Sequence, residues 1–131
     1  MTDALERLKT RLAQAQALDA VSGLLVWDQR TIMPPAAGGH RADHLALLQT
    51  LSHELFTDPE TGRLIDELAS REASLDPDSV DAATIRVARR DYEKAVRVPA
   101  TLRAEMTRAA AESVPTWIEA KSTSKDRKSV V

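Results

Sequence analysis

Leu5, Leu8, Leu12, Ala15, Leu18, Ser22 and Leu25 place apolar or small residues every three or four positions through the first segment of the chain. At about 100° per residue these positions fall on one stripe, so the segment reads as a single long amphipathic helix. That stripe constrains the fold more than any other feature, because a helix with one apolar face must bury it against other elements. No segment of useful length alternates apolar and polar residues as a half-buried strand would, and no internal repeat is present. The fold class is therefore all-α, and the partners of the first helix are further helices.

Proline and short polar clusters mark where those helices begin and end. Asp3 and Glu6 stand at capping-box spacing at the start. Pro34 disfavours helical geometry at Met33, which ends the first helix near Ile32 or Met33. Pro34 to Gly39 reads as a linker, extended first and flexible afterwards. A second helix, about His40 to Thr57, turns Leu45, Leu48, Leu51 and Leu55 inward. In "TDPETG", Asp58 is the N-cap and Pro59 the first residue of a third helix, to about Ala73, presenting Leu64, Ile65 and Leu68. "LDPDSVD" repeats the punctuation before a fourth, about Ser79 to Arg97, carrying Val80, Ala83, Val87 and Val96. Pro99 opens a fifth, through Leu102, Met106 and Ala110 toward Trp117. The expectation is a bundle of about five helices over residues 1–121. Residues 122–131, Ser- and Lys-rich and without periodicity, read as a disordered tail.

Composition removes several function classes. The 131 residues carry 18 basic and 20 acidic side chains, a formal charge of -2, which argues against a dedicated nucleic-acid binder. The absence of cysteine excludes disulfides and thiolate chemistry. "MTDALERLKTRLAQ" lacks the apolar core of a secretory signal, and the longest strongly apolar run, Gly23 to Trp27, is too short to span a membrane. A cytoplasmic protein without membrane partners is expected.

Candidate chemistry is sparse. "HRADH" places His40 and His44 at i,i+4, the spacing of a zinc-binding helix, but Arg41 stands where a general-base glutamate would follow the first histidine. His53, nine residues beyond His44, lies on the opposite side of a continuous helix. "HELFT" begins like HExxH, yet Thr57 occupies the place of the second histidine. No metal-binding, catalytic or cofactor-binding residue is assigned within the chain. Arg86, Arg89, Arg90, Lys94 and Arg97 form a basic stretch interrupted by Asp91 and Glu93, which reads as a solvated face with local ion pairs. P-loop, GxGxxG and GxSxG motifs are absent.

The stretch "VWDQRTIMPPAAGGHRADHLALLQTLSHELFTDPETGRLIDEL" resembles the N-terminal region of the carboxypeptidase Taq family of zinc metallocarboxypeptidases. The matching positions are Trp27-Asp28, Thr31, Met33-Pro34, Gly39, Arg41, Leu48, His53-Glu54 and the T-x-P-E-x-G turn at Thr57 to Gly62. The likeness continues through Arg89-Arg90, Tyr92, Val98-Pro99 and Leu102 to "WIEAK" around Trp117, covering about residues 5 to 121. It implies an all-helical peptidase with a deep groove, usually dimeric, that removes C-terminal residues from peptides. Its zinc would sit on a HExxH helix and a later glutamate, beyond this chain. Trp27, Asp28, Thr31, Met33 and Pro34 then carry structural or groove-lining roles, and peptide substrate belongs to a full-length parent. Pro115 and the sequence from Ser122 depart from the family pattern. The alternative reading is a non-enzymatic helical module for dimerisation or docking. Adjacent apolar pairs such as Leu24-Leu25 and Leu47-Leu48 lead to the expectation of a homo-oligomer. Trp27, at the end of the apolar stripe, is expected to be buried and Trp117 exposed, so that truncating Trp27 would cost about 3–5 kcal/mol.

Overall fold

A computed structural model describes residues 2–123 and shows five α-helices, with no strand among the described residues. The tail expectation falls, from residue 124 onward, outside the described residues. Helix α1 (Thr2–Thr31) has 30 residues and is therefore about 45 Å long. The amides of Ile32 and Met33 both donate to the Asp28 carbonyl, at 3.1 and 3.0 Å, and close the helix just before Pro34. Asp3 lies inside α1 rather than capping it, and Glu6 pairs with Lys9 at 3.2 Å.

Pro34 is extended (φ -59°, ψ 137°), and Pro35–Ala37 form one 3-10 turn that leads directly into α2 (Gly38–Thr57). Gly38 is helical (φ -57°, ψ -44°). The expected flexible glycine turn is thus replaced by a proline corner, because fixed proline φ angles already reverse the chain. Helix α3 (Pro59–Ala69) is shorter than expected, its last part being a separate 3-10 turn at Glu72–Ser74. Helix α4 spans Val80–Ala95 and α5 spans Ala100–Ser122.

Two buried clusters hold the helices. Leu5 and Leu8 of α1 meet Leu64, Ile65 and Leu68 of α3 and Ile85 and Ala88 of α4 in the first. Ala42 and Leu45 of α2 meet Ala111 of α5 in the second, with Leu25 and Val26 of α1 packed beside them. The first-helix stripe is as expected, but two other faces are not. On α4 the buried residues are Ala82, Ile85 and Ala88, while Val80, Val87 and Val96 are exposed. Two alanines on one face let the α4 backbone approach its neighbours, which selects that face for the core. On α5, Leu102, Met106 and Ala110 are exposed and the inward stripe is Ala100, Ala104, Thr107, Ala111 and Val114. Small residues win there too, since α2 and α5 pack together closely only where side chains are short. On α2, Leu51 is exposed, whereas Ser52 is buried.

The TDPETG turn shows what each of its residues does. Asp58 accepts from the Glu60 amide at 2.8 Å and pairs with Arg11 at 2.9 Å. Glu60 forms an ion pair with Arg7 of α1 and another with Arg63 at 2.5 Å. Thr61, fully buried, accepts from Arg11 Nε at 2.7 Å and donates to the Leu55 carbonyl at 3.3 Å. A Cβ on Gly62 would lie 2.5 Å from the Tyr92 hydroxyl, so any side chain there would have to displace the Tyr92 ring. Lys9 reaches Asp81 of α4 at 3.0 Å, and that hydrogen bond, with Glu6, raises its pKa above the ordinary 10.5.

Helix α5 continues through Pro115, the position that departs from the family pattern. Proline has no N–H, so the Ala111 carbonyl four residues earlier loses its helical partner. Gln29 of α1 supplies the replacement: its side-chain amide donates to the Ala111 carbonyl at 3.0 Å in a buried setting. Gln29→Leu should cost about 1–3 kcal/mol by leaving that carbonyl unsatisfied. In a Pro115→Ala background, where residue 115 again offers an N–H, the same substitution should cost roughly 1 kcal/mol less. Chemical denaturation of the four proteins of this cycle checks the coupling, and additive losses would contradict it.

Candidate functional site

The residues from Trp27 to Arg41 build the corner between α1 and α2. Arg41 of α2 points its guanidinium at α1, with Nη2 2.7 Å from Asp28 Oδ2 and Nη1 donating to the Leu25 carbonyl at 2.6 Å. The two side chains are only 15% and 30% exposed, for Arg41 and Asp28 respectively. A planar guanidinium meets both acceptors from one position, which a lysine ammonium would not reproduce. Thr31 donates to the Trp27 carbonyl at 2.9 Å, so the partner of the Asp28 carboxylate is Arg41 rather than Thr31. Met33 is half-buried at the corner and Pro34 starts the reversal.

Trp27 does not bury its indole. It is 62% exposed, and Trp117 is 59% exposed, so the expected contrast between them disappears. The reason lies in helical phase: Trp27 stands two residues from both Leu25 and Gln29, about 200° away from the inward stripe. The sequence did contain that signal. Gln29 continues the stripe and is itself buried, a polar residue on an apolar face with a partner to find.

A second feature opens at the middle of the molecule, between the two clusters. A trough of about 780 Å3 is walled by α1, α2 and α4, and Val98 and Arg103 also line it. Leu12 and Ala15 of α1, Phe56 of α2, and Val80, Ala83 and Val87 of α4 give it apolar walls. Ser52 donates to the Ala15 carbonyl at 3.3 Å in its floor, and Gln49 donates to Asp19 at 3.1 Å across its rim. His53 lies 2.7 Å from the Val98 carbonyl. A carbonyl only accepts, so Nε2 carries the proton there. None of Trp27, Asp28, Thr31, Met33 and Pro34 lines this trough.

His40 and His44 are both exposed on α2, away from His53. Among the described residues no three His, Cys, Asp or Glu side chains come together as a metal-ligating group. On α4 the three arginines find acidic partners: Arg86 with Glu72 at 3.4 Å, Arg89 with Glu93 at 3.1 Å and Arg90 with Asp91 at 2.9 Å.

Comparison with known proteins places this arrangement. The family model for the carboxypeptidase Taq (M32) metallopeptidases matches residues 7–128. The chain belongs to that family. The match extends beyond the point near Lys121 where the resemblance read from the sequence ends. Thermostable carboxypeptidase 1 of Thermus thermophilus is 35% identical over 104 residues, which cover 79% of this chain and 20% of that protein. The solved structure of BsuCP has the same fold, with a TM-score of 0.85 at 24% identity over 93% of this chain and 24% of that one. The chain thus spans about a fifth to a quarter of the length of these two proteins. Within the family frame, the corner residues act as a junction between helices. Arg41→Ala should therefore destabilise the fold by about 1–3 kcal/mol, through loss of a charge-assisted bond and the unpaired Asp28 it leaves. Trp27→Ala should cost less than about 1 kcal/mol. Denaturant midpoints of the two variants test the order, and the reverse order would show that the indole is buried.

Proposed function

We propose that these residues form the N-terminal helical part of a zinc-dependent metallocarboxypeptidase that removes C-terminal residues from peptides. The observation that carries this reading is the family match over residues 7–128. In this reading the chain supplies walls and helix junctions, while zinc and the residues that activate water lie in parts of the enzyme outside these 131 residues. The sequence contains no HExxH, and its histidines are not grouped with other ligand-type side chains among the described residues. No catalytic step is assigned to this chain. No helix of the described residues is long and apolar enough to cross a membrane.

A second reading concerns association. Leu24, Trp27, Ile32 and Leu47 are exposed on α1, α2 and the corner between them. Their apolar area favours a homodimer through helix faces, either as part of a peptidase dimer or as the present use of the chain by itself.

The 131-residue chain alone should release no C-terminal residue from peptides. Zinc should not survive dialysis against a weak chelator; stoichiometric zinc that is lost in a His40→Ala/His44→Ala variant would overturn this. A chimera in which this chain replaces the aligned region of Thermostable carboxypeptidase 1 should keep carboxypeptidase activity. A folded but inactive chimera would count against the segment reading. Sedimentation at micromolar concentration should show a dimer of the isolated chain, and a compact monomer throughout would remove the association reading.

A further inference from the structure

The three walls of the central trough share one pattern. On α1 the lining residues are 12, 15, 16 and 19, and on α2 they are 49, 52, 53 and 56. Both sets follow i, i+3, i+4, i+7, the spacing with which one helix face meets another helix. On α4 the same rhythm runs from Val80 through Ala83, Thr84, Val87 and Asp91 to Lys94, about 21 Å of helix. This is the very face that the sequence marks as apolar and that the core leaves uncovered: Val80 is 79% and Val87 47% exposed. Helix α4 therefore carries two apolar faces, one packed on α3 and α1 and one turned to the trough.

We propose that the trough seats an amphipathic helix supplied by the part of the carboxypeptidase outside these 131 residues. The proposal rests on the reading of the chain as one segment of a longer enzyme. Three helical walls with matching repeats form a bundle that lacks one member, and a helix completes it with ordinary ridge-and-groove packing. Length supports this occupant. BsuCP contains the same five-helix arrangement within a chain about four times as long, leaving ample polypeptide to provide a helix. Charge gives the occupant further chemistry. Asp19 and Asp91 are already engaged, with Gln49 and Arg90. Lys94 and Arg103 form no ion pair among the described residues. The helix that fits thus presents Leu-, Val- or Ala-type side chains to Val80, Val87, Leu12 and Phe56, and a carboxylate to Lys94 and Arg103.

The chain has no cysteine, so single introduced thiols report their own surroundings. Val87→Cys probes the trough, and Met106→Cys, exposed on α5 and outside it, is the control. The probes are synthetic peptides of about 25 residues, long enough to form helix on a surface. They are tiled along the sequence of Thermostable carboxypeptidase 1 outside its aligned region. One tile should slow maleimide labelling of Val87→Cys by about tenfold or more, with Met106→Cys unaffected. Joint Lys94→Glu and Arg103→Glu substitution should weaken that protection by about tenfold. The proposal is overturned if no tile protects Val87→Cys or if both thiols slow equally. It is also overturned if Val87→Cys becomes protected at higher chain concentration without peptide, which assigns the trough to a second copy. Failure of the segment reading would show separately, as an inactive folded chimera.

Discussion

A single uninterrupted helix carries both hydrophobic clusters of this protein. The first cluster takes residues from the N-terminal half of α1 and the second gathers against its C-terminal half. The remaining helices are positioned by which half they bind: α3 and α4 at one end, α5 at the other, with α2 running back alongside. Continuity of α1 over about 45 Å is therefore the constraint on which the arrangement depends. The trough lies along α1 between the residues of the two clusters.

Polar side chains decide how the helices cross. Arg41 holds α2 to the end of α1 through Asp28 and the Leu25 carbonyl. Arg11 holds α1 to the start of α3 through Asp58 and Thr61. Gln29 replaces the hydrogen bond that Pro115 removes from α5. Each contact satisfies a buried or half-buried group that would otherwise be costly, so each specifies one geometry more narrowly than apolar packing alone. Several of the residues on which the sequence resembles the carboxypeptidase family, Asp28, Met33, Pro34, Arg41 and the TDPETG turn, lie at these junctions.

Helix identities and most boundaries were legible in the sequence because their signals are local. Pro34, Asp58-Pro59 and Pro99 each break or begin a helix through their own backbone chemistry, with effects confined to a turn. The stripe of α1 was legible as well, since Leu5, Leu8 and Ala15 have no competing apolar face. Fewer of the candidate-site features were accessible. Trp27 could have been placed outward from its phase against Leu25 and Gln29, but the size of an indole suggested burial. One wall of the trough, the Val80–Ala83–Val87 face of α4, was marked in the sequence, but the trough was not, because its walls come from three helices.

What the sequence by itself determined was the class of structure, its helices, its family and the absence of an HExxH motif. These follow from periodicity, proline and residue identity, all readable within a few turns of chain. What only the tertiary structure decided was which of two apolar faces each of α4 and α5 buries, and which polar residue answers which. Ala82, Ile85 and Ala88 were chosen over Val80 and Val87 because the distance between helices, not hydrophobicity alone, selects the inward face. Gln29 and Ala111 are 82 residues apart. A carbonyl freed by a proline has no local means of naming the side chain that will reach it; that partner exists only once the helices are packed.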